Sequence, residues 1–530
     1  MPSSPAPRFA LAPRRRRLLA LFAMTAALVP IAGCGGDNAS GGDVDPATLM
    51  PASASAYLGV TVRPEGESKD DAQRISRALF GTDAPGRAIL DLAAKATGQS
   101  AVSFERDVDP WLGDRAGVAL LPAPSGGGAD VVLVAGSRDD DKARKALESS
   151  GRLSQQETFR DVDYRRSADG RLAGAVFEGA LVLGSERAVQ AVIASVRDDS
   201  VLSDAASYTQ AIGELPKEGV ATAYLDVSAV AELIGGLLGG GTTAQLIEPV
   251  LSAQGDAIAA SVIPERDGLR IEAVGTGTGS GIAAVQAKGG ASKAITTLPG
   301  DSWLALGISD VGATISTLLD AASSAGGIQA IGLNVLLGQI ESSLGLKLRE
   351  DVLAWMGAGG LFVRGTAKGH VSGALVVRSK DPAATRRAVR KLRGALGGLP
   401  AGAAARPFQV PGIDEGALLT LGKLRLELAA AGDRFVIAIG PGALAKALHP
   451  GEQLADTAKF QSAQKRLGDD LKAGLYLDLP QLGDLLARSG DGPGGALLAG
   501  VLRRMSQLAA GGTQDGDTSR VRIAVGVPTA

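Results

Sequence analysis

Asp107 and Asp351 each open a run of the form Asp-Val-x-x-Trp-x-Gly, reaching Trp111-Leu112-Gly113 in one case and Trp355-Met356-Gly357 in the other. Asp226 and Asp478 each close a Tyr-Leu-Asp run. Carboxylates repeated in this way could serve as an acid and base across a sugar, or as oxygen ligands for calcium. The Asp-Val-Asp pairs Asp107/Asp109 and Asp161/Asp163 invite the same thought. Neither pattern is completed. Sugar sites usually add aromatic platforms, whereas aromatics are 3% of this chain, and calcium loops need more oxygen ligands at fixed spacing. Asp109 also gives way to Leu353 at the matching place. The carboxylates therefore read first as helix caps and strand-end acceptors, with a carboxylate-dependent envelope hydrolase as the alternative. Trp111 and Trp355 read first as core or hinge packing and second as ligand platforms.

Other chemistry is poorly supplied. Two histidines, His370 and His449, and one cysteine leave no cluster for a metal or a proton relay. No Gly-x-Ser-x-Gly elbow occurs. The glycine run 275–281 follows a strand but lacks the spacing of a dinucleotide loop. Residues 416–423 superficially resemble a phosphate loop, yet the spacing is one residue too long and Leu424 stands where Ser or Thr must hold magnesium. No cofactor is expected, and with so few rings to stack on bases nucleic acid is not expected as a partner.

The elements that place these residues begin with an export signal. Arg8 and Arg14–Arg17 precede an apolar stretch over 18–29, too short for the roughly 20 residues that span a bilayer. It ends in Ile31-Ala32-Gly33-Cys34, which resembles the bacterial lipobox. That resemblance implies cleavage before Cys34 and acylation of its thiol, which accounts for the single cysteine. Two acyl chains suffice for stable anchoring. Without the five signal arginines, 49 basic residues face 56 acidic ones, a net charge of about −7, so acyl chains rather than a basic surface must hold the body at the outer face of the cytoplasmic membrane. Either the general secretory or the twin-arginine route fits. Residues 34–46 read as a flexible tether.

The remainder is written twice. Ala56-Tyr57-Leu58-Gly59-Val60 matches Leu304-Ala305-Leu306-Gly307-Ile308 at an offset of 248, and the tryptophan runs match at 244. Ser137-Arg138-Asp139 matches Ser379-Lys380-Asp381 at 242, and the Tyr-Leu-Asp runs match at 252. Four colinear blocks give two repeats, 47–277 and 297–530, with a linker over 278–296. Within the first, alternation and turn residues predict strands at 56–62, 117–121, 131–135, 164–167, 172–177, 180–183 and 221–227, and a hairpin of 258–263 with 269–274. Helices are predicted at 70–80, 139–149, 186–196, 205–213 and 229–238. Tight hairpins beside single helices imply α+β repeats, each a mostly antiparallel or mixed sheet with helices packed on it; a doubly wound parallel sheet is the weaker alternative. The nearly uncharged segments 229–251 and 315–346 are the place for a hydrophobic ligand, core burial being the plainer reading.

These blocks, Tyr57-Leu58-Gly59-Val60-Thr61-Val62-Arg63-Pro64 with the Asp-Val-x-x-Trp-x-Gly and Tyr-Leu-Asp runs, resemble a family of bacterial proteins catalogued as domain of unknown function 3352. The resemblance covers nearly the whole mature chain and implies an exported or membrane-attached protein with no assigned activity. The expected role is that of a lipid-anchored, non-enzymatic binding or scaffolding component of the cell envelope, carrying a hydrophobic ligand or meeting another envelope protein.

Overall fold

The computed structural model describes residues 44–82, 103–122, 129–149, 151–230, 256–277, 290–324, 338, 341–342, 345–366, 371–396, 403–421, 424–489 and 492–528. Ile31, Ala32, Gly33 and Cys34, most of the tether, His370 and most of 229–251 lie outside them.

Among the described residues twenty strands form one sheet. The first ten are β1 (Ala56–Thr61), β2 (Leu112–Pro122), β3 (Ala129–Ser137), β4 (Gln155–Phe159), β5 (Val162–Arg166), β6 (Ala173–Phe177), β7 (Ala180–Gly184), β8 (Ala221–Asp226), β9 (Ala257–Glu265) and β10 (Gly268–Thr276). The last ten are β11 (Ser302–Ile308), β12 (Met356–Arg364), β13 (Ser372–Ser379), β14 (Ala403–Pro407), β15 (Glu415–Leu421), β16 (Leu424–Ala431), β17 (Arg434–Ile439), β18 (Leu475–Asp478), β19 (Gln507–Asp515) and β20 (Thr518–Gly526). Across the sheet the first set runs 4-5-6-7-3-2-1-8-9-10, and the second, read from the opposite edge, runs 14-15-16-17-13-12-11-18-19-20. They meet where β10 pairs with β20 over nine residues, Gly268 opposite Gly526 and Thr276 opposite Thr518. Every pairing among the described strands is antiparallel, and with the helices this makes the fold α+β.

Eleven helices are described: α1 (Gly66–Phe80), α2 (Asp140–Ser149), α3 (Glu186–Arg197), α4 (Ala206–Gly213), α5 (Gly290–Thr296), α6 (Val311–Ser324), α7 (Pro382–Leu396), α8 (Ala443–Leu448), α9 (Ala458–Leu467), α10 (Leu479–Ser489) and α11 (Gly492–Arg504). The helix predicted from residue 70 starts four residues earlier, at Gly66. Asp139 starts α2 as its sequence suggests, its carboxylate accepting from the Lys142 amide at 3.0 Å.

Helices cover both faces of the sheet, so its strands carry apolar residues on both sides. In β3, Val132 and Val134 join the core under α3 and α4, while Leu133 and Ala135 join the one under α2. In β13, Ala374 and Val376 face α8 and α9, and Leu375 and Val377 face α6 and α7. Over the central pairing, Ile75 and Leu79 of α1 pack with Leu269, Leu479 and Val525.

Two glycine pairs let the chain segments ahead of β1 and β11 press onto the sheet. Gly59 faces Gly117 across β1 and β2, and Gly307 faces Gly360 across β11 and β12. A Cβ on Gly117 would lie 2.8 Å from both Pro46 Cβ and Tyr57 Cε2, and one on Gly360 would lie 2.9 Å from Leu298 Cδ2. Asp45 and Pro46, at the end of the expected tether, are thus already docked: Asp45 accepts from the Ala47 amide at 3.0 Å and from Arg115 Nη1 at 3.0 Å. Residues 290–296, at the end of the expected linker, form α5.

Candidate functional site

The two tryptophan runs fold alike. Phe104–Val108 and Leu348–Leu353 each form a single π-helical turn. The Asp107 carboxylate accepts from the Ser103 amide at 2.9 Å, and Asp351 accepts from the Lys347 amide at 2.9 Å. Trp111 Nε1 donates to the Asp107 carbonyl at 2.8 Å, and Trp355 Nε1 donates to the Asp351 carbonyl at 2.8 Å. Next, the Arg138 amide donates to the Trp111 carbonyl at 2.9 Å, and the Lys380 amide donates to the Trp355 carbonyl at 2.7 Å. The aspartate closes the start of the turn, and the buried indole locks the turn's end onto β2 or β12. The Asp-Val-x-x-Trp spacing follows from this, because the indole must reach a carbonyl four residues back.

The other aspartates are bonded as well. Asp226 accepts from the Ala229 amide at 2.9 Å and from Ser228 Oγ at 2.7 Å. Asp478 accepts from Lys459 Nζ at 2.7 Å. Asp109 binds Arg63 Nη2 at 2.8 Å, and Asp163 accepts from Thr158 Oγ1 at 2.7 Å. The aromatic members of the Tyr-Leu-Asp strands pack edge-on: Tyr224 against Tyr208 at 5.2 Å, and Tyr476 against Phe460 at 5.6 Å. Burial pushes both hydroxyl groups, Tyr224 and Tyr476, above the usual tyrosine range. The six residues Asp107, Asp351, Asp226, Asp478, Trp111 and Trp355 are therefore held within the scaffold. Of the apolar segment 315–346, Ile315 and Leu319 pack against the Trp355 core.

A cleft of about 400 Å³ opens beside Trp355, lined among others by Asp351, Lys380, Asp381, Arg387 and Lys391. Its charges answer one another: Lys391 lies 3.7 Å from Asp351, Arg387 lies 3.9 Å from Asp381, and Lys380 reaches Asp310 at 2.7 Å. Among the described residues no group of three His, Cys, Asp or Glu side chains could hold a metal, and no helix is long and apolar enough to cross a membrane.

The Lys347 amide and then Lys391 hold the Asp351 carboxyl below the usual aspartate range. Its folded-state value is lower than its unfolded one, so the stabilisation is present above the unfolded value, near pH 4, and disappears as pH falls through the folded one. The unfolding temperature of the wild type should accordingly exceed that of Asp351→Asn at neutral pH, and the gap should narrow as pH falls below the unfolded value, near 4. A gap that is unchanged by acid would assign the effect to the lost acceptor geometry rather than to the charge.

The family model described as Protein of unknown function (DUF3352) matches residues 87–500. The chain belongs to this family. The DUF3352 match spans both tryptophan runs and both Tyr-Leu-Asp strands, whereas the run Tyr57–Pro64 that also carried the sequence resemblance lies ahead of it. No curated protein matches the chain. Crystal forms I, III and IV of TP0453 are similar over 44% of this chain and 79–81% of that one, at 9–11% identity and TM-scores of 0.23–0.25.

Sequence reading missed a second cleft, about 500 Å³ in volume, under α5 and α8. Its cations Arg378 and Arg434 stand opposite one another across β13 and β17. The available signal was a contrast rather than a motif, since the corresponding pair across β3 and β7 is Gly136 and Ala180.

Proposed function

We propose that this DUF3352 protein is a duplicated envelope protein, moored through acyl chains on Cys34 at the outer face of the cytoplasmic membrane, that binds or scaffolds rather than catalyses. The non-catalytic part of the reading rests on one observation: Asp107, Asp226, Asp351 and Asp478 are each bonded to a backbone amide or to a neighbouring lysine, and Asp381, which shares a cleft with Asp351, is likewise spent on the Ala384 amide at 2.9 Å. Its support for duplication is the repeated strand order, together with paired bonds such as Leu202 N to Met50 O at 2.8 Å and Leu454 N to Leu298 O at 2.7 Å.

Mooring is tested by feeding cells an alkyne-bearing fatty acid and fractionating them. The wild-type chain should take up label and sediment with membranes, while Cys34→Ser should take up none and leave the membrane fraction. Equal labelling, or unchanged sedimentation of Cys34→Ser, refutes acyl mooring.

A further inference from the structure

The geometry points to a binding site for a small amphiphilic anion, an acyl carboxylate or alkyl phosphate, in the cleft of about 500 Å³ between α5, the strands β12 and β13, and α8. The inference deepens the binding role proposed above and uses the equivalence of the two repeats. A volume of this order lies within the usual ~300–1,000 Å³ of small-molecule sites.

Its floor is apolar and its rim is cationic. Leu298, Pro299, Gly360, Val376, Ala447 and Pro450 supply the floor. Lys293, Arg378 and Arg434 stand at the rim with one acid, Asp433. Arg378 and Arg434 are directly opposed residues of an antiparallel pair, an arrangement in which like charges destabilise unless an anion lies between them. Among the described residues Asp433 pairs with Arg378 alone, at 3.3 Å, and Arg434 donates to the Leu448 carbonyl at 2.9 Å. The rim therefore keeps an excess of positive charge in a chain whose net charge is −2. A ligand with one anionic head and a short apolar body matches both parts.

Comparison with the first repeat makes this a feature of the second repeat rather than of the fold. The Ser137 amide donates to the Gly179 carbonyl at 2.7 Å as the Ser379 amide does to Asp433, so Gly179 and Asp433 occupy the same place. Gly136 and Ala180 pair where Arg378 and Arg434 pair. Val44 lies over this small-residue floor, its Cγ2 3.2 Å from where a Cβ on Gly179 would sit. Two residues before Gly117 stands Arg115, bonded to Asp45 at 3.0 Å; two residues before Gly360 stands Ala358, which lines the cleft. In the first repeat the docked N-terminal segment and a charge-balanced ion pair occupy the space; in the second the space is open and its rim is cationic.

The test is calorimetric titration of the purified full chain carrying Cys34→Ser with decanoate, decanol and inorganic phosphate. Decanoate should bind more tightly than either decanol or phosphate. Arg378→Ala and Lys293→Ala change exposed side chains and should each weaken decanoate about tenfold, the loss of one charge-assisted contact. Ala358→Trp should abolish binding by filling the cleft, with circular dichroism confirming the fold of each variant. The assignment is overturned if decanoate gives no heat with the folded protein, if decanol binds as well, if phosphate alone binds as tightly, or if Arg378→Ala and Ala358→Trp both bind as the parent does. The readout needs no membrane, so its failure leaves the mooring by Cys34 standing, and failed acyl labelling leaves the cleft standing.

Discussion

Trp355→Ala should lower the unfolding free energy by about 3–5 kcal/mol, the range for deleting a large buried aromatic, which for a chain of this size corresponds to a fall in Tm of about 3–5 °C. Three losses add. The indole is only 3% exposed and fills a core with Val311, Val377, Val389 and Phe435. Its edge-on contact with Phe435, at 5.2 Å and 84°, is worth about 0.5–1.5 kcal/mol beyond area alone. The Asp351 carbonyl also loses its donor. Trp355→Phe keeps most of the volume and removes the N–H, so it should cost about 1–3 kcal/mol. Trp111→Ala should cost less than Trp355→Ala, because Trp111 is 6% exposed and no ring stacks on it among the described residues. Urea unfolding ranks the three variants. A ligand platform would give the opposite picture, near-native stability for Trp355→Ala, and a change under about 1 kcal/mol would sink the packing account.

How much of this was legible depended on whether a feature was local. The turns Asp169-Gly170 and Glu178-Gly179 flank β6 as their residues predict, and the hairpin around Asp267 joins β9 to β10. The helices α2, α3 and α4 start within one residue of the predicted positions; Asp139 and Ser185 signal the caps of α2 and α3 directly, while α4 starts after Ala205 without a side-chain cap. Strand β4, Gln-Gln-Glu-Thr-Phe, was missed: it is an edge strand exposed along nearly its whole length, so it shows no apolar alternation. The glycine pairs Gly59/Gly117 and Gly307/Gly360 are ordinary glycines in sequence and acquire meaning only when a second segment approaches them. Partnership across the sheet was out of reach as well. Alternation marks 269–274 as a strand, yet nothing local says that its free edge is met by residues about 250 positions later. The cleft under α5 follows the same rule, being visible only once Gly136 is set against Arg378 in register.

That central pairing carries the second large effect: Glu272→Arg should destabilise the chain by about 2–3 kcal/mol, less than a fully buried broken pair because the site keeps some solvent. Glu272 faces Arg522 at the midpoint of β10 and β20 and accepts from its Nε at 2.6 Å; Arg270 Nη1 donates to the same oxygen at 3.0 Å. Side-chain exposure is 16% for Glu272 and 21% for Arg522, so reversal sets three guanidinium groups together in a half-dry site. Arg522 keeps Asp470 and Arg270 keeps Glu265, which limits the damage. The opposite side of the pairing, where Leu269 and Val525 pack under α1, is untouched by the change. Glu272 and Arg522 are also what makes the pairing specific. Were β10 to meet β10 of a second copy in the same register, Glu272 would oppose Glu272, and β20 on β20 would set Arg522 against Arg522; the pairing of β10 with β20 joins unlike charges at the midpoint. Arg522→Glu alone should therefore destabilise, and the double variant should recover part of the loss, with a coupling of about 1–2 kcal/mol in a double-mutant cycle read by urea unfolding. Strict additivity of the two single changes would show that Glu272 and Arg522 do not hold the two sets of strands together.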